Sequence, residues 1–516
     1  MAQENDNRTR REPGSYWMAT NEIPTYPSLQ SNESTDIAVI GGGIAGIITA
    51  YLLAKEGKEV TLLEAGRLVG GVTGNTTAKI SAQHGTIYST LMKTAGEKEA
   101  RLYYEANLEG LQCIENLAQE LGIDCMFSRR DAFIYANTEA GAKLLEKEAD
   151  AYWKLGIDGE LAVVDAQAEL PFDIRQALVM RNQAQFNPVQ FLGGLVKELE
   201  KMNVKIYENT RAVKLLSKHD PVIQTENLSR LMCNKVIVAT HYPFNDSDGL
   251  YFARMAVNRS YAIAAKVSGK IPQGMYISVD QPKRSLRSIE QEDGESLLMI
   301  GGEGHGSGKQ TKDTMEYYKN LEQTGREQFG LEETLYHWSA QDMSTLDKIP
   351  YIGTITAGYD HILVATGFDK WGMAHGAIAA KLLTDQVMGR DNKYRGMYKP
   401  TRSKMKTVDA VSFLKDNASV AKELVKGKLK MPSKTIDSLS NGQGALVKHQ
   451  NERAGAYRDK YGQLHLVDAT CTHMGCETKW NEAERSWDCP CHGSRFSYTG
   501  EVLNGPAVKP LKKLEE

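Results

Sequence analysis

The sequence predicts an α/β protein followed by a small all-β module, and three observations carry that expectation. Between Asp36 and Glu64 a strand pattern runs into a glycine-rich turn, an apolar helix and a second strand. From about Met431 the texture changes to short alternating segments, GALVKH, RAGAYRD and QLHLVDA, separated by turn residues. At 516 residues the chain also exceeds what one hydrophobic core supports, so two to four domains are expected.

Bulk composition narrows the function classes. A net charge of −3, from 62 basic and 65 acidic residues, provides no global field to attract nucleic acid or an anionic membrane. A small molecule or another protein is the expected partner. The opening MAQENDNRTRREPGSYW is polar where a signal peptide would be apolar, so a cytoplasmic location is expected. That compartment keeps thiols reduced, which favours metal or redox work for a cysteine cluster. The uncharged run from Ile37 to Ala54 reaches the lower length limit of a membrane span, but its central glycines divide a β-branched run from a helix-forming one. Strand, tight turn and helix is the better reading, and no transmembrane segment is expected.

In that unit Gly41 permits the turn, Gly43 admits a pyrophosphate close to the backbone, and Gly46 lets helix and strand pack closely. The helix starting at Ile44 offers free N–H groups and a positive dipole end. Glu64 ends the second strand, where a carboxylate can accept from ribose hydroxyls. A lone GxGxxG is weak evidence; strand, helix, second strand and acid together predict a dinucleotide site.

More distant stretches specify the dinucleotide. GRLVGGVTGNTTAKISAQHG, Val236-Ile-Val-Ala-Thr240 and LDKIPYIGTITAGYDHILVATGFDKWGMAHG together resemble the FAD-dependent oxidoreductases of the D-amino acid oxidase and glycine oxidase superfamily. The resemblance implies a discontinuous Rossmann-type FAD domain, 31–80 with 185–245 and 345–392, after an N-terminal extension over 1–30. An α+β substrate domain, 81–184 with 246–344, would place an antiparallel sheet over the flavin. By the same resemblance Thr73, Thr76, Thr77 and Ala78 run past the pyrophosphate, and the backbone of Val213 meets the adenine. Gly367, Gly372 and Met373 approach the flavin ring. The chain departs from the family at Ala239-Thr240-His241, where Ala-Thr-Gly is frequent, leaving that backbone contact open.

Within the substrate domain, Leu108, Leu111, Ile114, Leu117 and Leu121 form one apolar helix face, and QFNPVQFLGGLVKEL begins a helix at Pro188. Because a flavin takes the hydride itself, the protein need only orient the substrate and tune the ring. Candidates by location are Lys79, His84, Arg254, Arg259, Tyr261, His305, Asp342, Lys370, Trp371 and His375. Lys79 and His305 lead the set because both lie beside glycine-rich turns. For any one of them a solvated charge or a satisfied half-buried side chain is the plainer account.

The region 393–430 reads as a lysine-rich linker with a helix over VSFLKDNASVAKELVKG, and 431–516 as the all-β module. That module holds four of the seven cysteines, in CTHMGC and CPCHGS. Two cysteines and two histidines could hold zinc, yet common zinc fingers keep the cysteines in one fork and the histidines in the other. Here each loop mixes a Cys with a His, the arrangement that lets one iron of a [2Fe–2S] pair take two thiolates and the other two imidazoles. A plain disulfide knot remains the third alternative. The full pattern resembles the Rieske family, which implies Cys471 and Cys489 on one iron and His473 and His492 on the other. The family also implies a disulfide between Cys476 and Cys491, and a covering loop at Gly505-Pro506-Ala507. Ser494 matches a serine that donates to a bridging sulfide, and Phe496 replaces a tyrosine that donates to a ligand cysteine in high-potential members.

The two resemblances together imply an FAD-dependent dehydrogenase of an amine or amino acid, passing electrons to a Rieske cluster. The exposed imidazole edge of His473 or His492 would pass them on to an external acceptor. A Rieske-fed flavin reductase, supplied by a donor protein, and a non-catalytic redox sensor or adaptor are the alternatives.

Overall fold

The computed structural model describes residues 14–291, 294–402, 432 and 434–515. The expected linker helix VSFLKDNASVAKELVKG lies outside the described residues.

An eight-stranded sheet is assembled from three separated stretches of chain. Its order runs Tyr351–Thr354, Ile362–Thr366, Arg230–Val238, Glu33–Ile40, Val60–Leu63, Lys205–Tyr207, with Val222–Thr225 and Ala212–Ser217 added beside Arg230–Val238. From Ile362–Thr366 to Lys205–Tyr207 neighbours are parallel, and Val60–Leu63 and Ile362–Thr366 are buried throughout. Continuous apolar strands of this kind belong to sheets covered on both faces. Helix Ile44–Lys55 packs against Pro188–Lys201 and Gly372–Val387 and buries nearly every side chain, so it has no polar face to show. Asn187 caps the second of these helices through its side-chain oxygen, with Pro188 at the first position as the sequence predicts. No helix among the described residues is long and apolar enough to cross a membrane.

The second sheet has nine strands. Its order is Leu331–Thr345, Met255–Val267, Ser296–Gly306, Arg284–Glu290, Met275–Ser278, Ser128–Ala136, Gln176–Gln185, Lys79–Ile80, with Gly159–Leu161 also paired to Gln176–Gln185. It is antiparallel except where Met275–Ser278 runs parallel to Ser128–Ala136, the join between the two inserted stretches of chain. The expected strand over GIDCMFSRRDAFIYA is confined to its second half. Lys79 pairs with Gln185, so these two residues at the edges of the expected FAD segments lie in this second sheet. Helix Glu97–Glu120 buries Leu111, Ile114 and Leu117, while Leu108 and Leu121 pack at its margin.

The C-terminal module contains a three-stranded sheet, Gly444–His449, Glu452–Arg458 and Leu464–Val467, and a four-stranded one, Lys479–Asn481, Ser486–Asp488, Arg495–Ser497 and Val502–Asn504. Trp487, fully buried, packs with Trp480, Phe496 and the four loop cysteines. The module is seated on the rest of the chain. Tyr318 Oη donates to Glu484 Oε1 at 2.9 Å, Ala483 N to Thr314 Oγ1 at 2.9 Å, and Arg211 Nη2 to the Val502 carbonyl at 2.8 Å.

Candidate functional site

A cavity of about 800 Å³ runs from the glycine-rich turn to the second sheet. At the turn, Gly41 has φ +114°, and a Cβ there would collide with the Ala239 carbonyl of the neighbouring strand. A Cβ on Gly43 would stand 3.0 Å from Thr73 Oγ1, on the cavity wall. Gly46 lies beneath, against the Gly41 carbonyl, and serves packing. Glu64 accepts from Gly42 N at 2.7 Å through Oε2 and from Gly66 N at 2.8 Å through Oε1. Burial pushes its carboxyl up, and each oxygen keeps lone-pair capacity for a hydroxyl. The helix start at Ile44 carries no side-chain cap, and its N–H meets Thr73 Oγ1 at 3.2 Å. This cradle fits a pyrophosphate, with glycine backbone and a helix dipole at a start where only the small Thr73 hydroxyl stands.

Gly41, Gly43, Glu64, Thr73, Thr76, Thr77, Gly372 and Met373 all line this one cavity. Gly46, Ala78, Val213 and Gly367 do not. Thr210, Arg211 and Ala212 form the wall where Val213 was expected, and Gly367, at φ +78°, turns the chain against Thr345 and Met255. Ala78 is buried under Thr77, its carbonyl accepting from Arg287 Nη1 at 2.9 Å. At the family departure, His241 holds φ +64° and lines the cavity, its Nε2 bonded to the Gln341 carbonyl at 2.6 Å.

Among the catalytic candidates, Lys79, His84, Tyr261, Asp342, Lys370 and Trp371 line the cavity; Arg254, Arg259, His305 and His375 do not. Lys79 Nζ donates to the Tyr276 carbonyl at 2.8 Å and to Ser285 Oγ at 2.7 Å. Burial, then the Arg287 charge, pushes its pKa down to about 7. His84 stacks on Trp371 at 4.5 Å, and burial holds it at about 3. Its Nδ1 meets Tyr103 Oη at 2.7 Å, and that hydroxyl also meets His375 Nε2 at 3.1 Å. His305 belongs to a strand whose pairing shifts register between Gly302 and His305. Gly301, Gly302 and Gly304 line the cavity, while His305 stacks on Tyr317 at 4.7 Å. Arg254 is tied to the Pro400 carbonyl at 2.6 Å, and Arg259 is buried beside Glu484.

The two loops of the C-terminal module converge. Cys471 and Cys489 are buried and free, and Cys476 is joined to Cys491 in a disulfide. Cys476, Cys489 and Cys491 are within mutual metal-ligand distance, but the disulfide removes two of them as thiolates. The hydrogen bond from Cys489 draws the Cys471 thiol down, while the same contact drives Cys489 up. His492 Nδ1 is buried without a partner, and His473 turns Nε2 to Asp246 Oδ2 at 3.1 Å, which leaves its Nδ1 for the loops. Two thiols and two inward Nδ1 atoms are a donor set that suits a mixed-ligand iron pair.

The expected exposure of the imidazole edges is corrected. His492 is 5% exposed and the His473 side chain 14%. The Phe252 ring lies 6.2 Å from His473 and 5.6 Å from His492, so both rings face the chain's own segment 241–254. Gln341, a cavity residue, donates from Nε2 to the Gly493 carbonyl at 2.8 Å and accepts from Ser307 Oγ at 3.0 Å. Asp246, Phe252 and Gln341 carry no motif that the sequence could have announced.

Comparisons with known proteins agree with this geometry. The family model described as FAD dependent oxidoreductase matches residues 36–386, and that of the Rieske [2Fe-2S] domain matches 430–515. A Bacillus subtilis (strain 168) protein described as a Rieske 2Fe-2S iron-sulfur protein, YhfW, is 42% identical over 511 residues, 99% of each chain. Glycine oxidase from Geobacillus kaustophilus superposes with TM-score 0.61 at 18% identity, covering 72% of this chain and 99% of its own. L-Proline dehydrogenase from P. horikoshii gives 0.59 at 19% identity, covering 72% and 98%.

Proposed function

Since the chain belongs to the FAD dependent oxidoreductase family and ends in a Rieske [2Fe-2S] domain, we propose that it is a dehydrogenase of an amine or amino acid whose electrons leave through the iron–sulfur centre to an external acceptor. Bound FAD supplies two-electron oxidation of a substrate C–H bond, and the cluster supplies one-electron transfer. On this reading Gly41, Gly43 and the helix start at Ile44 hold the pyrophosphate, Glu64 the ribose, and Thr73, Thr76 and Thr77 the path toward the ring, with Gly372 and Met373 beside it. Cys471 and Cys489 hold one iron, His473 and His492 the other.

Lys79, half of it neutral at pH 7, is able to take the proton of a substrate ammonium while Tyr276 and Ser285 fix its Nζ. Lys283 and Lys370 line the same cavity, and burial and then the Lys370 charge lower the Lys283 pKa. A substrate carboxylate would relieve that repulsion, which favours amino acids within the class. The names of the structural neighbours, glycine oxidase and L-proline dehydrogenase, support the same class.

The observation that carries the reading is the seating of the cluster site. Its histidines face the segment 241–254 of the same chain, with Gln341 common to the cavity wall and the bond to Gly493. The test is anaerobic titration with a panel of amines and amino acids. Flavin bleaching followed by the reduced-cluster EPR signal is expected. Reduction of the protein by ferredoxin with no response to any organic substrate would refute this direction.

A further inference from the structure

One wall of the FAD cavity lies outside the FAD-family part of the chain. Leu503, Asn504, Gly505, Pro506, Ala507 and Val508 line it, and all six belong to the Rieske match. At this loop the two parts meet closely. Arg211, itself a cavity residue, donates from Nη2 to the Val502 carbonyl at 2.8 Å. A Cβ on Gly505 would stand only 3.6 Å from Tyr242 Cβ. The loop is also tied to the cluster, because Ala507 N donates to Ser494 Oγ at 3.0 Å, and Ser494 hydrogen-bonds the Cys471 sulfur.

We infer that the Rieske module is itself a binding wall for FAD, so that filling the dinucleotide cavity and seating the module are thermodynamically coupled. The inference rests on the reading of this cavity as the FAD site. A ligand that touches both sides of a seam binds the docked form more tightly than the separated one, and by linkage it stabilises docking to the same extent that docking tightens it. The module also docks directly, through hydrogen bonds such as Gln341 to Gly493 and His473 to Asp246 and through Phe252 against both histidines, and a ligand on the cavity wall adds to these contacts. FAD adds to the contacts that keep Phe252 and Asp246 against the two ligand histidines. The consequence is a cluster held more firmly when a flavin is there to be served.

The test uses the full chain, cluster intact, stripped of flavin and then titrated with FAD. Amide exchange over 241–254 and 489–493 is expected to slow by about tenfold or more at saturating FAD. Leu503→Ala withdraws part of a wall side chain that is 46% exposed. It should weaken FAD binding by about fivefold while the Rieske EPR signal stays unchanged. Unchanged exchange on FAD saturation overturns the coupling, as does an unchanged FAD dissociation constant in a Leu503→Ala protein with an intact signal. Should that variant lose its signal, exchange in the wild-type chain decides alone. A wild-type chain that takes up no FAD overturns both this inference and the reading beneath it, an outcome seen at once in the flavin absorbance.

Discussion

Lys79 permits a quantitative test of how the cavity wall handles charge. Its Nζ sits between the Tyr276 carbonyl and Ser285 Oγ, and burial, reinforced by Arg287, lowers its pKa from 10.5 to about 7. In the unfolded chain the value returns to 10.5. Between these two values the unfolded state binds a proton that the folded state lacks, so stability rises with pH across the window. Below pH 7 both states are protonated and the cost of the buried ammonium is fully present. The limiting slope of about 1.4 kcal/mol per pH unit, reached above the folded midpoint, gives about 2 kcal/mol of added stability between pH 7 and pH 9. Lys79→Met keeps the apolar stem and removes the titration, so that increment should vanish. The assay is urea unfolding of flavin-free wild-type and variant proteins at both pH values, with the difference between them cancelling the other groups. A wild-type minus variant difference that changes by less than about 0.5 kcal/mol from pH 7 to pH 9 would refute the argument.

Further outcomes follow from the cluster site. Phe496→Tyr adds a donor inside the fully buried cysteine cluster. It should raise the potential in protein-film voltammetry by roughly 50 mV, the one-electron equivalent of a net hydrogen bond, and an unchanged or lower value counts against it. Metal analysis should find iron and no zinc, and His492→Ala should lose the Rieske EPR signal while keeping flavin absorbance; zinc in the wild-type protein would exclude the iron reading. Gln341→Leu leaves the Gly493 carbonyl and Ser307 hydroxyl without their partner. Exchange over 489–493 should then speed by about tenfold, and unchanged exchange would show that the bond does not hold the loop.

The parts of the site legible in sequence are those whose chemistry needs adjacent residues. A pyrophosphate cradle requires glycines at fixed offsets before a helix, and the iron pair requires Cys and His two or three residues apart, so both are written in short words. Contacts that depend on folding distant segments together leave no such trace. Asp246 and His473 are 227 residues apart, and Gln341 and Gly493 are 152 apart. His305 shows the intermediate case. Its glycine neighbours do mark the cavity, but the ring itself is taken up by Tyr261 and Tyr317, one on a neighbouring strand and one on a helix. Val213 stands one position beyond the cavity wall, which ends there at Ala212.

The orientation of the Rieske module bears on the path of electrons on the proposed reading. With both ligand imidazoles turned toward Phe252 and Asp246, an external partner does not meet the histidine edge of the docked module. That edge is thus suited to entry from the flavin side, and the exit lies elsewhere. Either it lies on another face of the module, such as the Met474 side chain, which is 44% exposed beside His473, or at the histidine edge itself after the module separates. These two routes differ in their response to a covalent tie across the seam. A cross-link between the module and the segment 241–254 leaves flavin bleaching and cluster reduction intact in both cases. It abolishes onward transfer to an artificial acceptor protein only if separation is the exit step, and full transfer in the cross-linked protein would place the exit on the module's outer face.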